Sequence, residues 1–136
     1  MSDPENTNSA STAGASEVTT VGASNAMRWI RRLMAVNLGF AALQPISAGF
    51  LLSAYDHAST IHVAVAVALQ LSAFVQGVAA FVLWLRGRVS GWVAGFSIGL
   101  FGMVLLEVWA GRQREYWLHV PIGVAILLWL REQTKS

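Results

Sequence analysis

Residues 61–85 read IHVAVAVALQLSAFVQGVAAFVLWL, a run with no formally ionised side chain. At 1.5 Å per residue such a run covers more than the ~30 Å hydrocarbon core of a bilayer. Its apolar residues cover the whole circumference of a helix rather than one stripe, so a helix built from it wants lipid on the outside. Working outward, Leu33–Ala54 and Val89–Ala110 repeat the pattern. A fourth run, Trp117–Leu130, covers only ~21 Å. It must borrow from Arg112–Tyr116 or thin the membrane. Between Leu33 and Leu85 the one formally ionised residue is Asp56, a depletion that no water-facing helix pair sustains.

Composition agrees. The 136 residues are 55% hydrophobic and 12% charged, well away from the balance of a soluble domain. The net charge of +2 comes from arginines at the ends of apolar runs, which marks topology and excludes a nucleic-acid face. With no cysteine there is no disulfide, no thiolate metal site and no cysteine nucleophile. HExxH and nucleotide-binding glycine loops are absent from the sequence, which argues against metal-dependent hydrolysis and nucleotide chemistry.

Arg28, Arg31, Arg32, Arg86, Arg88, Arg131 and Lys135 fall on one side of the spans, Arg112 and Arg114 on the other. By the positive-inside rule both termini are then cytoplasmic. The expected fold is an all-α integral membrane protein. Four transmembrane helices, at about 28–54, 61–85, 89–110 and 115–131, form an up-down-up-down bundle with N-in/C-in topology. Residues 1–26, almost entirely Ser, Thr, Ala, Asn, Gly and a few acids, are expected to be a disordered tail ahead of the 27–136 membrane domain. Met27, directly before the basic cluster, is an alternative translation start that N-terminal sequencing of native protein decides. On the third helix Gly91, Gly95 and Gly99 recur every fourth residue with Gly102 adjoining, a face on which another helix packs closely.

This topology gathers polar residues at the outer end: Tyr55, Asp56 and His57 in the first outer loop, His62 opening helix two, Glu107 closing helix three and His119 opening helix four. His57 reads as loop. His62 and His119 each lie within about a turn of a helix start, with small residues one turn on, Ala66 and Gly123, that leave room beside the imidazoles. Histidine is the usual axial ligand of haem iron, and bundle cores are where such cofactors sit. The opposing reading makes both histidines interfacial, like Tyr116 and Trp117 of an aromatic belt. Glu107 shares a helical stripe with Gly95, Gly99 and Met103. If those glycines face the bundle, its carboxylate can accept a hydrogen bond from a ligating imidazole, carry a proton, or simply end a solvated helix. Asn37 and Gln44 share a face of helix one, where Pro45 can kink the chain. Gln70 and Gln76 read as interhelical glue. Pro121 opens or bends the fourth helix.

The Gln-Pro of LQPISAGFL at 43–51, the His at the start of helix two and LHVPIGV at 118–124 resemble a family of small bacterial membrane proteins of unknown function over about residues 28–131. The same features resemble one half of the haem A synthase family, whose four-helix halves place a His at the outer start of their second and fourth helices. The resemblance implies a multi-pass protein of a bacterial cytoplasmic (inner) membrane and carries haem ligation onto His62 and His119 alone. Ser59 and Val63 stand where that family keeps Glu and Arg, and its loop cysteines are missing. What carries over is the architecture and not the reaction, and a single half offers one haem position.

The leading expectation is a non-enzymatic membrane protein that binds haem b near the outer leaflet through His62 and His119, with Glu107, Ala66 and Gly123 around it, for electron transfer or haem handling. The alternative is an accessory membrane subunit without cofactor. The partners expected are the lipid bilayer and a second copy or a larger membrane complex.

Overall fold

The computed structural model describes residues 8–53 and 56–135, with side chains described for 22–53 and 56–133. It has four helices in series, α1 (Asn8–Leu52), α2 (Ala58–Leu85), α3 (Gly91–Arg112) and α4 (Tyr116–Lys135), and no strand among the described residues. Three helical segments are long and apolar enough to cross a membrane: Gly22–Leu52, Ala58–Leu85 and Gly91–Arg112. The described part of α4 is not among them. Arg131 and Glu132 end its apolar run one turn early, although the helix itself continues.

The start of the first helix corrects the sequence reading. Helix begins at Asn8, so 8–26, expected to be disordered, continue α1, while residues 1–7 lie outside the described residues. Ser, Thr, Gly and Asn outnumber Ala10, Ala13 and Ala15 over residues 8–21, but the segment from Asn8 on holds no Pro before Pro45 to interrupt the bond ladder. A helix already nucleated downstream therefore extends through it one bond per residue.

Local signals set the turns. At the end of α2, Gly87 takes φ 66°. Its N–H donates to Trp84 O and that of Arg88 to Leu83 O, both at 2.8 Å, the paired bonds of a Schellman cap. Ser90 then caps α3, its hydroxyl accepting from Val93 N at 3.4 Å. This is why α3 starts at Gly91 rather than at Val89. After α3 the same cap recurs with Arg114 at φ 62°, where Arg114 N donates to Gly111 O and Glu115 N to Ala110 O.

Each helix backbone lies beside its two neighbours in a ring, α1 on α2 and α4, α3 on α2 and α4, and among the described residues the diagonal pairs approach only through side chains. The late α1 residue Ser47 meets the early α2 residue His62, and late α3 Glu107 meets early α4 His119. Neighbours therefore run antiparallel. We call the end carrying these contacts the distal end and the opposite one, with Gly87 and Ser90, the proximal end. The outward faces stay apolar, with Val67, Phe74, Ile98 and Leu106 among many exposed large side chains, the pattern of a lipid-bathed surface.

Lipid tails are as apolar as leucine, so close packing and polar links hold such helices together. On α1 the stripe Ile30, Met34, Asn37, Ala41, Gln44 and Ser47 is buried. At the proximal end Ile30, Met34, Ala80 and Phe96 close into one apolar cluster, with Phe96 edge-on to Trp129 at 4.7 Å. Mid-bundle, Asn37 Nδ2 donates to Gln76 Oε1 at 2.7 Å and Gln76 Nε2 donates to Ser97 Oγ at 3.1 Å. Ser72 Oγ donates to Asn37 Oδ1. This network ties α1, α2 and α3 together beside Gly77, where an added Cβ would lie 3.6 Å from Ser97 O.

The expected glycine face of α3 is met in part: an added Cβ would lie 3.3 Å from Trp84 Nε1 of α2 at Gly91 and 3.7 Å from Trp129 of α4 at Gly99. Gly95 and Gly102 have nothing within 4 Å of an added Cβ, and both are exposed. The buried stripe of α3 runs instead through Ser97, Leu100, Val104 and Glu107.

Candidate functional site

The antiparallel ring brings the starts of α2 and α4 to the distal end on opposite corners, and so it brings His62 and His119 together. Their ring centroids lie 6.3 Å apart with the planes at 77°. Glu107, buried on α3, stands at the same level. Its carboxylate Oε1 is 3.2 Å from His119 Nδ1, and its main-chain carbonyl is 2.9 Å from the same nitrogen. Asp56 and His57 are exposed and stand outside this cluster. His57 forms the α2 N-cap in the left-handed region with no side-chain hydrogen bond, as a loop residue. Tyr55 lies outside the described residues.

Hydrogen bonding assigns the proton on each ring. A carbonyl oxygen only accepts, so His119 Nδ1 carries the hydrogen that meets Glu107 O. Ser47 Oγ donates its hydrogen to Gln44 O at 2.9 Å. Its lone pairs are what remain for His62 Nδ1, 2.8 Å away, so that nitrogen is also a donor. Both neutral rings are then Nδ1–H tautomers, and Nε2 of each keeps an unshared pair with no hydrogen bond to a described residue. Ser47 was not singled out in the sequence. Its signal was its place three residues after Gln44 on the stripe that also holds Asn37.

A cavity of about 270 Å³ extends from the imidazoles toward the bundle centre. Its walls come mainly from α1 (Ala41, Gln44, Ala48) and α4 (Gly123, Ile126, Leu127), with Leu69 of α2 as well. The rim residues Leu52, Val120 and Val124 are exposed, so the cavity opens sideways between α1 and α4. Ala66, expected beside it, is not part of the wall; Leu69, two turns on from His62, takes that position. Gly123 does line it, but an added Cβ there would lie 3.5 Å from Glu107 Oε1. The room beside Gly123 is therefore filled by the carboxylate. Pro121 sits inside α4, one turn before Ala125, without ending the helix.

Comparison with family models, with curated proteins and with solved structures finds no match to this chain.

Proposed function

We propose that the chain is a four-span membrane protein, N-in/C-in in a bacterial cytoplasmic membrane, that binds haem b at the distal, outer end with His62 and His119 as axial ligands. The observation that carries the reading is the pair of anchored imidazoles. Two imidazoles on opposite sides of one metal, each bonded at about 2.0–2.1 Å, stand with ring centres roughly 6 Å apart, and those of His62 and His119 stand at 6.3 Å. Ligating histidines donate their other N–H to a carbonyl, carboxylate or similar group, and Ser47 and Glu107 supply such acceptors. The donor set fits an iron porphyrin. The cavity's 270 Å³ is below the ~300–1,000 Å³ of pockets for whole cofactors, so seating a macrocycle requires α1 and α4 to part. The bound group would supply one-electron chemistry or be cargo in haem handling.

The test is the visible spectrum of detergent-extracted protein, as isolated and after adding hemin. A Soret band that the double substitution His62→Ala, His119→Ala removes supports the reading; protein that stays colourless with hemin sinks it.

A second reading, an accessory subunit that docks a second copy or a larger membrane complex, has its own observation. Gly95 and Gly102 face outward with nothing against them, the kind of surface on which membrane helices approach closely. In that case Gly95→Leu disrupts assembly and His62→Ala does not.

A further inference from the structure

Iron ligation leaves one buried group unused. Gln44 is 8% exposed, and neither its Oε1 nor its Nε2 has a hydrogen-bond partner. It lines the cavity three residues before Ser47, hence about 4.5 Å deeper than the imidazole level. An amide in this setting has lost water and found nothing in exchange, which native structures avoid unless something else binds there.

We propose that this cavity binds the ring head of a lipid-soluble quinone or quinol, held by the Gln44 amide. Four features select that class. The opening between α1 and α4 faces the bilayer, so the ligand arrives from lipid. The walls around Gln44 are aliphatic, Ala41, Ala48, Leu69, Ile126 and Leu127, which suits an apolar ring and the first carbons of a tail. Among the described residues of the lining there is no Lys or Arg to hold an anionic head, and an anion without a partner is costly where water is excluded. Finally, an amide presents both a donor and an acceptor, so Gln44 Nε2 donates to a quinone carbonyl and Gln44 Oε1 accepts from a quinol hydroxyl. A side chain that only accepts would hold the quinol alone, because a quinone has no hydrogen to give. The volume of about 270 Å³ matches a single substituted ring without any movement of the helices.

The proposal does not rest on haem. It is tested on full-length, haem-free protein in detergent, titrated with a decyl-substituted benzoquinone and followed by tryptophan quenching and equilibrium dialysis. Saturable binding of one quinone per chain is expected. Gln44→Leu should weaken it about tenfold or more, and Ala48→Phe, which fills the cavity from α1, should abolish it. Farnesol, an alcohol with an isoprenoid tail and no ring, should compete poorly. Circular dichroism checks each variant; if Gln44→Leu loses helicity, Ala48→Phe decides. Absence of saturable binding, equal binding by folded Gln44→Leu, or equal competition by farnesol overturns the proposal. Equal binding by that variant assigns the Gln44 amide to water. A Soret band, present or absent, bears only on the haem reading.

Discussion

A Cβ added to Gly111 would lie 2.9 Å from Cε1 and 3.0 Å from Nδ1 of His119, so the imidazole rests on bare α3 backbone one turn past Glu107. Gly111→Ala should therefore push the ring out of place while the helix itself gains up to ~1 kcal/mol from the better helix former. The expected outcome is a weakened Soret band on hemin addition with an undiminished thermal transition. A fall in both would mean that the substitution disturbs packing instead.

Ser47 tests the anchoring of the other ring. Ser47→Ala removes the acceptor for His62 Nδ1 and should lower hemin affinity by about 10- to 100-fold, the usual effect of losing a ligand's hydrogen-bond partner. Ser47→Thr, which keeps the hydroxyl, should restore it. Hemin titrations of the three proteins settle the point.

The mid-bundle network gives a stability prediction. Gln76→Leu strands Asn37 Nδ2 and costs about 1–3 kcal/mol. Changing Asn37 and Gln76 to Leu together should cost less than the sum, since no polar partner is then left unpaired across that link. Unfolding in mixed detergent–SDS micelles measures the cycle. Additive losses would show that the two amides do not couple.

Arg114 holds a left-handed conformation, φ 62°, at a position where glycine is the usual occupant. Arg114→Gly should raise stability by up to about 1 kcal/mol, the relief of the side-chain penalty less the extra freedom glycine has when unfolded. Thermal melts monitored by helicity would register it, and a lower transition would rule the account out.

Membrane orientation is open to direct labelling because the chain has no cysteine of its own. Single cysteines at Asp56 and Gln113 should react with an impermeant maleimide added to intact cells, and one at Arg88 should not. Labelling of Arg88→Cys alone would invert the proposed topology.

Long apolar runs made three membrane-crossing helices legible from sequence, since lipid demands a residue count that few other structures need. Glu107 shows where pattern reading reached a right position by a wrong route. It was placed inward through the row Gly95–Gly99–Met103, yet Gly95 is exposed, and the burial of Glu107 follows from the Ser97, Leu100 and Val104 stripe. In an all-apolar helix the inward face is not marked by hydrophobicity, and small residues serve inside and outside alike. Ala66 and Leu69 show the same ambiguity, because nothing in their chemistry says which one borders a cavity. What the sequence did carry was polarity. Asn37, Gln44, Gln76, His62 and His119 were each conspicuous for being hydrophilic within apolar runs, and each is involved in the buried network or the distal site. The start of α1 was missed because composition reports what a segment can bury and says little about a helix that extends it.

The apolar cluster of Ile30, Met34, Ala80 and Phe96 has a consequence for traffic. It stoppers the bundle below the Asn37–Gln76 layer, so the polar groups above it line a cul-de-sac rather than a conduit. On the reading proposed above, an occupant of the cavity leaves as it entered, sideways between α1 and α4, into the surrounding lipid.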